Sequence, residues 1–329
     1  RDRLRSRGLG DVYKRQIWGG DKIARFKNVQ TSQEQIGESW EISAVNGSVS
    51  VVKEGTDKGM SLTDLIARDK ENLLGKHVME RFGEKFPLLI KFIDARDNLS
   101  IQVHPNDEMA KIRHNSFGKT EMWYVIEAES GAGLYSGFTH QITPEEYVAR
   151  VENNTIMDVL QFHAVKSGDV FFLPAGCVHA IGKGLLIAEI QQSSDITYRI
   201  YDYNRKDAQG NGRQLHTEQA KDAIDYTMCG DRMKTVYTSK TDSFVPVVEC
   251  SYFTTDLLEL SHCVKRDIAS LDSFVIYICM AGEAVFTDAN EEKTTLCQGQ
   301  TLLVPASMKE ITIEARQDAK ILESFIPRI

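Results

Sequence analysis

Two histidines, a glutamate and a glutamine stand at spacings that a metal ion could use. Ser100, Gln102 and His104 alternate along LSIQVHP, so on a strand all three side chains leave one face. Pro105 then ends the pairing. Glu121 opens the next strand-like stretch, within GKTEMWYV. His179 closes a pattern that runs from Gly168 through Pro174 and Gly176. That pattern predicts a short buried strand over Val170 to Leu173, a tight Pro-Ala-Gly turn, and a strand start that aims one imidazole inward. Together Gln102, His104, Glu121 and His179 offer a mix of nitrogen and oxygen donors suited to one Zn2+, with room for water or substrate. A lone strand histidine is more often a hydrogen-bonded core residue, and His114, His140, His163, His216 and His262 are read that way.

The stretch after His179 turns polar on one parity. Glu189, Gln191, Ser193, Asp195 and Arg199 all sit at odd positions, so an unbroken strand would point them to one face. A strand with a polar inner face lines a site rather than a core. Lys91 interrupts the apolar run PLLIKFI, either as a snorkelling lysine at a strand end or as an inward cation.

These residues need strands to carry them, and the chain supplies strand signals on both sides. FPLLIKFIDARDNLSIQVHPND reads as two buried strands around a polar turn, and EMWYVIEAESGAGLYSGF as a strand pair with a Gly-rich turn. Asn46-Gly47 between apolar alternations is a hairpin signal. Helices are expected over 61 to 82 behind a Ser61 cap, from Pro144 to a point before His163, and over Thr217 to Ala223. From about Phe244 the chain returns to short strands. SGDVFFLPAGCVHAIG (167 to 182) lines up with QGQTLLVPASMKEITI (298 to 313), which places Glu310 where the first copy has His179. The expected architecture is therefore mainly β, with two cupin-type jelly-roll barrels and short helical insertions, the first barrel equipped and the second stripped. Residues 17 to 235 form the equipped unit and 236 to 329 a metal-free one.

Residues 1 to 16, RDRLRSRGLGDVYKRQ, read as foreign: six basic residues against two acidic ones, no apolar periodicity, and a resemblance to translated adapter sequence. The net charge of −8 gives no reason to expect a nucleic-acid partner. No apolar run approaches the roughly 18 residues of a membrane span, so no membrane partner is expected. Six cysteines without close pairing suit reduced thiols in a cytoplasmic protein.

The Gly168–His179 spacing is that of the second cupin motif, and the whole set resembles a type I mannose-6-phosphate isomerase of the short bacterial form. The resemblance is carried by IWGG at 17, LSIQVHPND at 99, GKTEMWYV at 118, PAGCVHAIG at 174 and EIQQSSDITYRIYDYNR at 189. It implies a zinc-dependent interconversion of mannose 6-phosphate and fructose 6-phosphate through an enediol(ate). The family's zinc ligands fall on Gln102, His104, Glu121 and His179, and its catalytic arginine on Arg199. Asp195 is then placed to orient Arg199 or act as base, and Lys91, Ser100 and Lys119 to contact the phosphate or sugar. Two features depart from the family: the strand usually found before IWGG is replaced by the foreign segment, and the large helical domain of longer members is reduced to short stretches. Two other chemistries fit the ligand set: an Fe(II) cupin oxygenase, which does not need Lys91, Lys119 and Arg199, and a non-catalytic sugar-binding cupin, against which all four ligand types and Arg199 are retained in the first copy.

Overall fold

The computed structural model describes residues 11–329. Its first half runs β1 (Val12–Gly20), α1 (Lys22–Lys27), β2 (Ile36–Ile42), α2 (Leu62–Asp69), α3 (Glu71–Leu74), α4 (Lys76–Phe82), β3 (Leu88–Ala95), β4 (Ile101–Val103) and α5 (Asp107–His114). There follow β5 (Glu121–Ala128), β6 (Gly133–Phe138), α6 (Pro144–Glu152), β7 (Leu160–Ala164), β8 (Val170–Leu173), β9 (His179–Ile181), β10 (Leu185–Gln192), β11 (Tyr198–Tyr201) and α7 (Thr217–Ala223). The remainder is β throughout: β12 (Phe244–Glu249), β13 (Thr254–Leu260), β14 (Cys263–Asp267), β15 (Val275–Asp288), β16 (Lys293–Cys297), β17 (Thr301–Val304) and β18 (Glu310–Phe325).

A six-stranded sheet (β1-β2-β3-β10-β5-β8) and a five-stranded sheet (β11-β4-β9-β6-β7) form the first barrel. Trp123, Phe171 and Ile187 from the one and Leu134 and Ile181 from the other share a core between them. The two strands of EMWYVIEAESGAGLYSGF do not pair with each other: β5 joins the first sheet and β6 the second, with Gly131 at φ 77 in the corner. The helix expected over 61 to 82 is three short ones, because Lys70 takes φ 47 and Gly75 φ 97, conformations that end a right-handed helix. α5 lies on a stretch with little apolar periodicity; Asn106 caps it by accepting from the Met109 N–H at 2.9 Å.

The segment read as foreign reaches into this barrel. Val12, Tyr13 and Lys14 pair with Trp40, Ser39 and Glu38 of β2, so ordered structure begins before Ile17. An open sheet edge asks only for backbone N–H and C=O groups, which any non-proline segment supplies. Residues 1 to 10 of that segment lie outside the described residues.

In the second barrel two long strands each pair with different partners along their length. β18 pairs with β14 through Glu310–Glu314 and with β13 through Ala319–Phe325, while β15 pairs with β17 through Val275–Ile278 and with β16 through Glu283–Thr287. One face of this barrel is buried on the first, where Phe274, Ile276 and Leu322 share a cluster with Ile42, Leu74 and Phe92. Backbone contacts fix the junction: Phe274 donates to the Leu74 carbonyl at 3.1 Å and Ala306 to Leu73 at 2.9 Å. The Asp272 carboxylate accepts from the Lys76 and His77 N–H groups (2.8 and 3.1 Å), satisfying the start of α4 from the other barrel. A Cβ on Gly75 would meet the Asp272 carbonyl oxygen at 2.1 Å, so only glycine allows this approach. No helix among the described residues is long and apolar enough to cross a membrane.

Inside the second barrel Arg266 grips Glu323 with two bonds (3.0 and 2.7 Å), and the Tyr277 hydroxyl donates to the same carboxylate at 2.7 Å. Asp256 stands opposite Glu323 on the neighbouring strand. Burial and the Glu323 charge push its carboxyl up to about 7. A native value above the unfolded one means that the folded state holds the extra proton between them. Stability from this group is therefore full below the ordinary value of 3.8 and is lost as pH rises through about 7. Asp256→Asn should melt above the parent, by about 2–4 °C per kcal/mol recovered, at a pH above that range and match it in acid. Equal melting curves at the higher pH would contradict a buried, strained carboxylate at this position.

Candidate active site

Three of the expected ligands meet. The ligand atoms of His104, Glu121 and His179 all lie within 4.8 Å of one another, and each residue is 1–2% exposed. Glu121 faces the Nε2 atoms of both imidazoles, at 3.4 Å for His104 and 3.1 Å for His179. His104 Nδ1 lies 3.0 Å from the Ile196 carbonyl and His179 Nδ1 2.8 Å from the Cys177 carbonyl. A carbonyl can only accept, so each Nδ1 carries the proton and each Nε2 presents a lone pair inward. Burial, reinforced by the Lys119 ammonium, pushes His104 down to about 3, which keeps it neutral. Burial works against the charge on Glu121, but His104, Lys119 and His179 outweigh it and hold the carboxyl well below the usual range. Glu121 Oε2 and His179 Nε2 are buried without a hydrogen-bond partner. Two inward lone pairs beside a carboxylate repel one another unless a cation sits among them, and this donor set fits a metal ion.

Local sequence explains how three strands deliver these groups. Cys177 N–H returns to the Pro174 carbonyl at 3.1 Å, closing a turn whose third residue, Gly176, has φ 91. The same turn holds the other two ligands by their backbones. Gly176 N–H donates to the His104 carbonyl at 3.0 Å, and Ala175 N–H donates to the hydroxyl of Thr120, next to Glu121, at 3.1 Å. β4 lies between β11 and β9, with Gln102 opposite both Arg199 and His179.

The centre opens into a cavity of about 320 Å3, also lined by Lys91, Ser100, Gln102, Lys119, Asp195 and Arg199. The expected ligands and contacts other than His179 thus border one space, and His179 lies behind it, 3.1 Å from Glu121. The path differs from the expected one. The strand carrying Glu189 ends at Gln192, and Gln191 Nε2 donates to the carbonyls of Gln192 and Ser194 (both 2.8 Å), holding a bend. Parity fails there: Gln191 supports the bend and Ser193 borders a different cavity. Glu189, Asp195 and Arg199 still share the site because β10 and β11 belong to facing sheets.

Lys91 is buried 3.2 Å from Glu38 and 3.8 Å from Glu189, over the Trp40 ring at 4.8 Å. Burial opposes its charge, yet the two carboxylates more than compensate and hold its pKa above the ordinary lysine value. Glu189 accepts from Trp123 Nε1 at 2.8 Å, and burial with the Glu121 charge raises its pKa. Glu38 and Trp123 escaped the sequence reading, although each keeps strand parity with a site neighbour, Trp123 with Glu121 and Glu38 with Trp40. Arg213, on the loop after β11, also lines the cavity and had no periodic signal.

The second copy differs at the matching place. Glu310 is exposed at the start of β18. Glu323, opposite Asp256 and Tyr277, occupies the position that Glu189 holds opposite Lys91 and Trp123.

Comparison with known proteins agrees with this geometry. Residues 8–161 match the family model of the phosphomannose isomerase type I catalytic domain, and residues 243–325 that of the mannose-6-phosphate isomerase cupin domain. The chain is 37% identical over 306 residues to the mannose-6-phosphate isomerase ManA of Bacillus subtilis (strain 168), covering 92% of this chain and 94% of that protein. It is 36% identical over 296 residues to the mannose-6-phosphate isomerase of Streptococcus mutans serotype c, covering 90% of each. The crystal structure of a mannose 6-phosphate isomerase from Bacillus subtilis superposes with a TM-score of 0.86 at 29% identity, over 96% of this chain and 98% of that one. With both halves matched in order and a buried His/Glu/His centre where the family motifs fall, the chain belongs to the type I phosphomannose isomerase family.

Proposed function

We propose that this isomerase interconverts mannose 6-phosphate and fructose 6-phosphate through an enediol(ate), with one zinc ion held by His104, Glu121 and His179 and with Gln102 beside them. The observation that carries the reading is the buried His/Glu/His centre opening into a polar cavity that also holds Arg199. Nitrogen and carboxylate donors suit zinc, which when bound supplies a Lewis acid for sugar oxygens.

The chain's own groups supply the rest. Arg199 keeps its charge through the reaction, because guanidinium does not deprotonate near neutrality. Its Nη1 donates to the Gln214 carbonyl at 3.0 Å, which fixes the guanidinium at the cavity wall, where its charge can stabilise negative charge that develops on the substrate. Asp195, at the bend between β10 and β11, brings a carboxylate for the proton transfer between C1 and C2. His104 is a poor alternative base, since its Nδ1 is engaged by Ile196 and its Nε2 faces Glu121. Lys91, Ser100 and Lys119 serve as sugar contacts on the cavity wall. The substrate is thus a small phosphosugar, and six free cysteines suit work in the cytoplasm.

A coupled assay of mannose 6-phosphate isomerisation, with elemental analysis of the purified protein, tests the reading. About one zinc per chain is expected, and Glu121→Gln should weaken retention at least tenfold, beyond the ~10-fold cost of losing even an outer-shell partner. Iron in place of zinc, or full occupancy in the variant, would contradict the assignment. Arg199→Ala should lower kcat by about 10^2 or more, the scale for one preorganised donor to a developing oxyanion, at unchanged metal content. Loss of metal with kcat retained would make Arg199 a structural support instead.

A further inference from the structure

We propose that Arg213, held in place by Asp202, recognises the phosphate of the substrate and makes the loop after β11 the specificity element of the site. This rests on the isomerase reading for the identity of the phosphorylated ligand.

On the wall built by the six-stranded sheet, Lys91 is committed to Glu38 and Glu189, and Lys119 Nζ lies 3.8 Å from Glu121. Two ammonium groups there meet three carboxylates. A bound divalent ion shifts that balance, but it stands where C1 and C2 react, and the phosphate of a hexose 6-phosphate hangs from the other end of the sugar. The dianion therefore belongs where cations outnumber carboxylates.

The facing wall has them. Asp202, 5% exposed, accepts from Arg213 through Nε and Nη2 at 2.9 and 2.6 Å and from Arg205 Nη2 at 2.5 Å. Arg199 stands near enough that, after burial, the Arg213 charge is what most depresses its pKa. Arg205 and Arg213 thus share one carboxylate with Arg199 close by, which leaves this cluster with an excess of positive charge. Arg213 and Arg199 line the cavity, whereas Arg205 Nη1 is spent on the Asn98 carbonyl at 2.5 Å. Asp202 fixes the plane of the Arg213 guanidinium, and no bond from Nη1 is made among the described residues. A planar fork of this kind is suited to phosphate oxygens.

The loop is exposed along most of its length but tied at its end. Arg199 N–H donates to His216 Nδ1 at 3.0 Å, and His216 N–H donates to the Arg199 carbonyl at 2.7 Å. These bonds, with the Gln214 contact, set Arg213 beside Arg199 at the cavity. Arg199 meets the reacting end and Arg213 the phosphate end, so the two arginines have separable kinetic signatures.

The test compares the parent with Arg213→Gln and Arg213→Lys. It measures kcat and KM for mannose 6-phosphate and for unphosphorylated mannose, the inhibition constant of inorganic phosphate, bound metal and melting temperature. Arg213→Gln should raise KM for mannose 6-phosphate and the phosphate inhibition constant by roughly 10- to 100-fold, the scale of a charged hydrogen bond. The loss in kcat/KM on mannose 6-phosphate should exceed the loss on mannose at least tenfold, at unchanged metal content. Arg213→Lys, which keeps the charge without the fork, should fall between. Equal losses on both sugars, or an unchanged phosphate constant, would overturn the assignment and leave Arg213 as a loop support. If the parent does not isomerise mannose 6-phosphate, the activity reading fails alone. Thermal protection by inorganic phosphate, present in the parent and lost in Arg213→Gln, then still decides the arginine. Should Arg213→Gln not fold, Arg213→Lys supplies the same phosphate constant.

Discussion

A carboxylate buried between two inward-facing imidazole lone pairs is the constraint on which the first barrel is built. Glu121, His104 and His179 come from three strands in two sheets, and nothing in their side chains relieves the crowding of lone pairs. The backbone has to hold them there. It does so with one turn, Pro174 to Cys177, which bonds to the carbonyl of His104 and to the residue before Glu121. The carbonyls of Ile196 and Cys177 then fix both ring tautomers. Lys119 stands by Glu121, and the Lys91–Glu38–Glu189 group continues the balance of charge along the wall. A buried ionic group of this size stays folded only while each member keeps its partner.

What could be read from the sequence follows from periodicity and turn chemistry. The alternation of Ser100, Gln102 and His104 and the spacing around Pro174 are local rules, and they survive because β4, β8 and β9 are short and regular. Glu189, Asp195 and Arg199 share a cavity as parity predicts, but not through strand alternation, and Gln191 and Ser193 do not join them. Two serines and the amide of Gln191 bend the chain, and sheet topology rather than strand alternation returns Arg199 to the cavity. The same limit hid the separation of β5 from β6, since a Gly-rich corner between facing sheets looks like a hairpin when only neighbours along the chain are considered. Partners of charged residues were out of reach as well. Lys91 reads as a free cation until β2 brings Glu38 beside it, across 53 positions of chain. Arg213 sits among exposed loop residues, where no pattern marks it.

The two copies of the barrel show which part of the design the fold itself needs. Each keeps a carboxylate at the same place, Glu189 or Glu323, an aromatic donor to it, Trp123 or Tyr277, and a cation near by, the buried Lys91 or the half-buried Arg266. The His104/Glu121/His179 trio has no such echo among the described residues, because Glu310 is exposed where His179 is buried. The anion, aromatic and cation thus belong to the packing of the barrel, and the ligands were set into a scaffold already able to hold charge.

Asp272 has a consequence for the order in which the molecule is made. The start of α4 lies in the first barrel, and the carboxylate that satisfies it stands 196 positions further along the chain. On a ribosome the first barrel's strands and its His104, Glu121 and His179 emerge well before that carboxylate exists, and before Phe274 and Ile276, which cover its outer face. The nascent first barrel therefore waits with an uncapped helix and an uncovered apolar surface. Final closure of the first barrel is reached only when the half without the His/Glu/His trio has been synthesised.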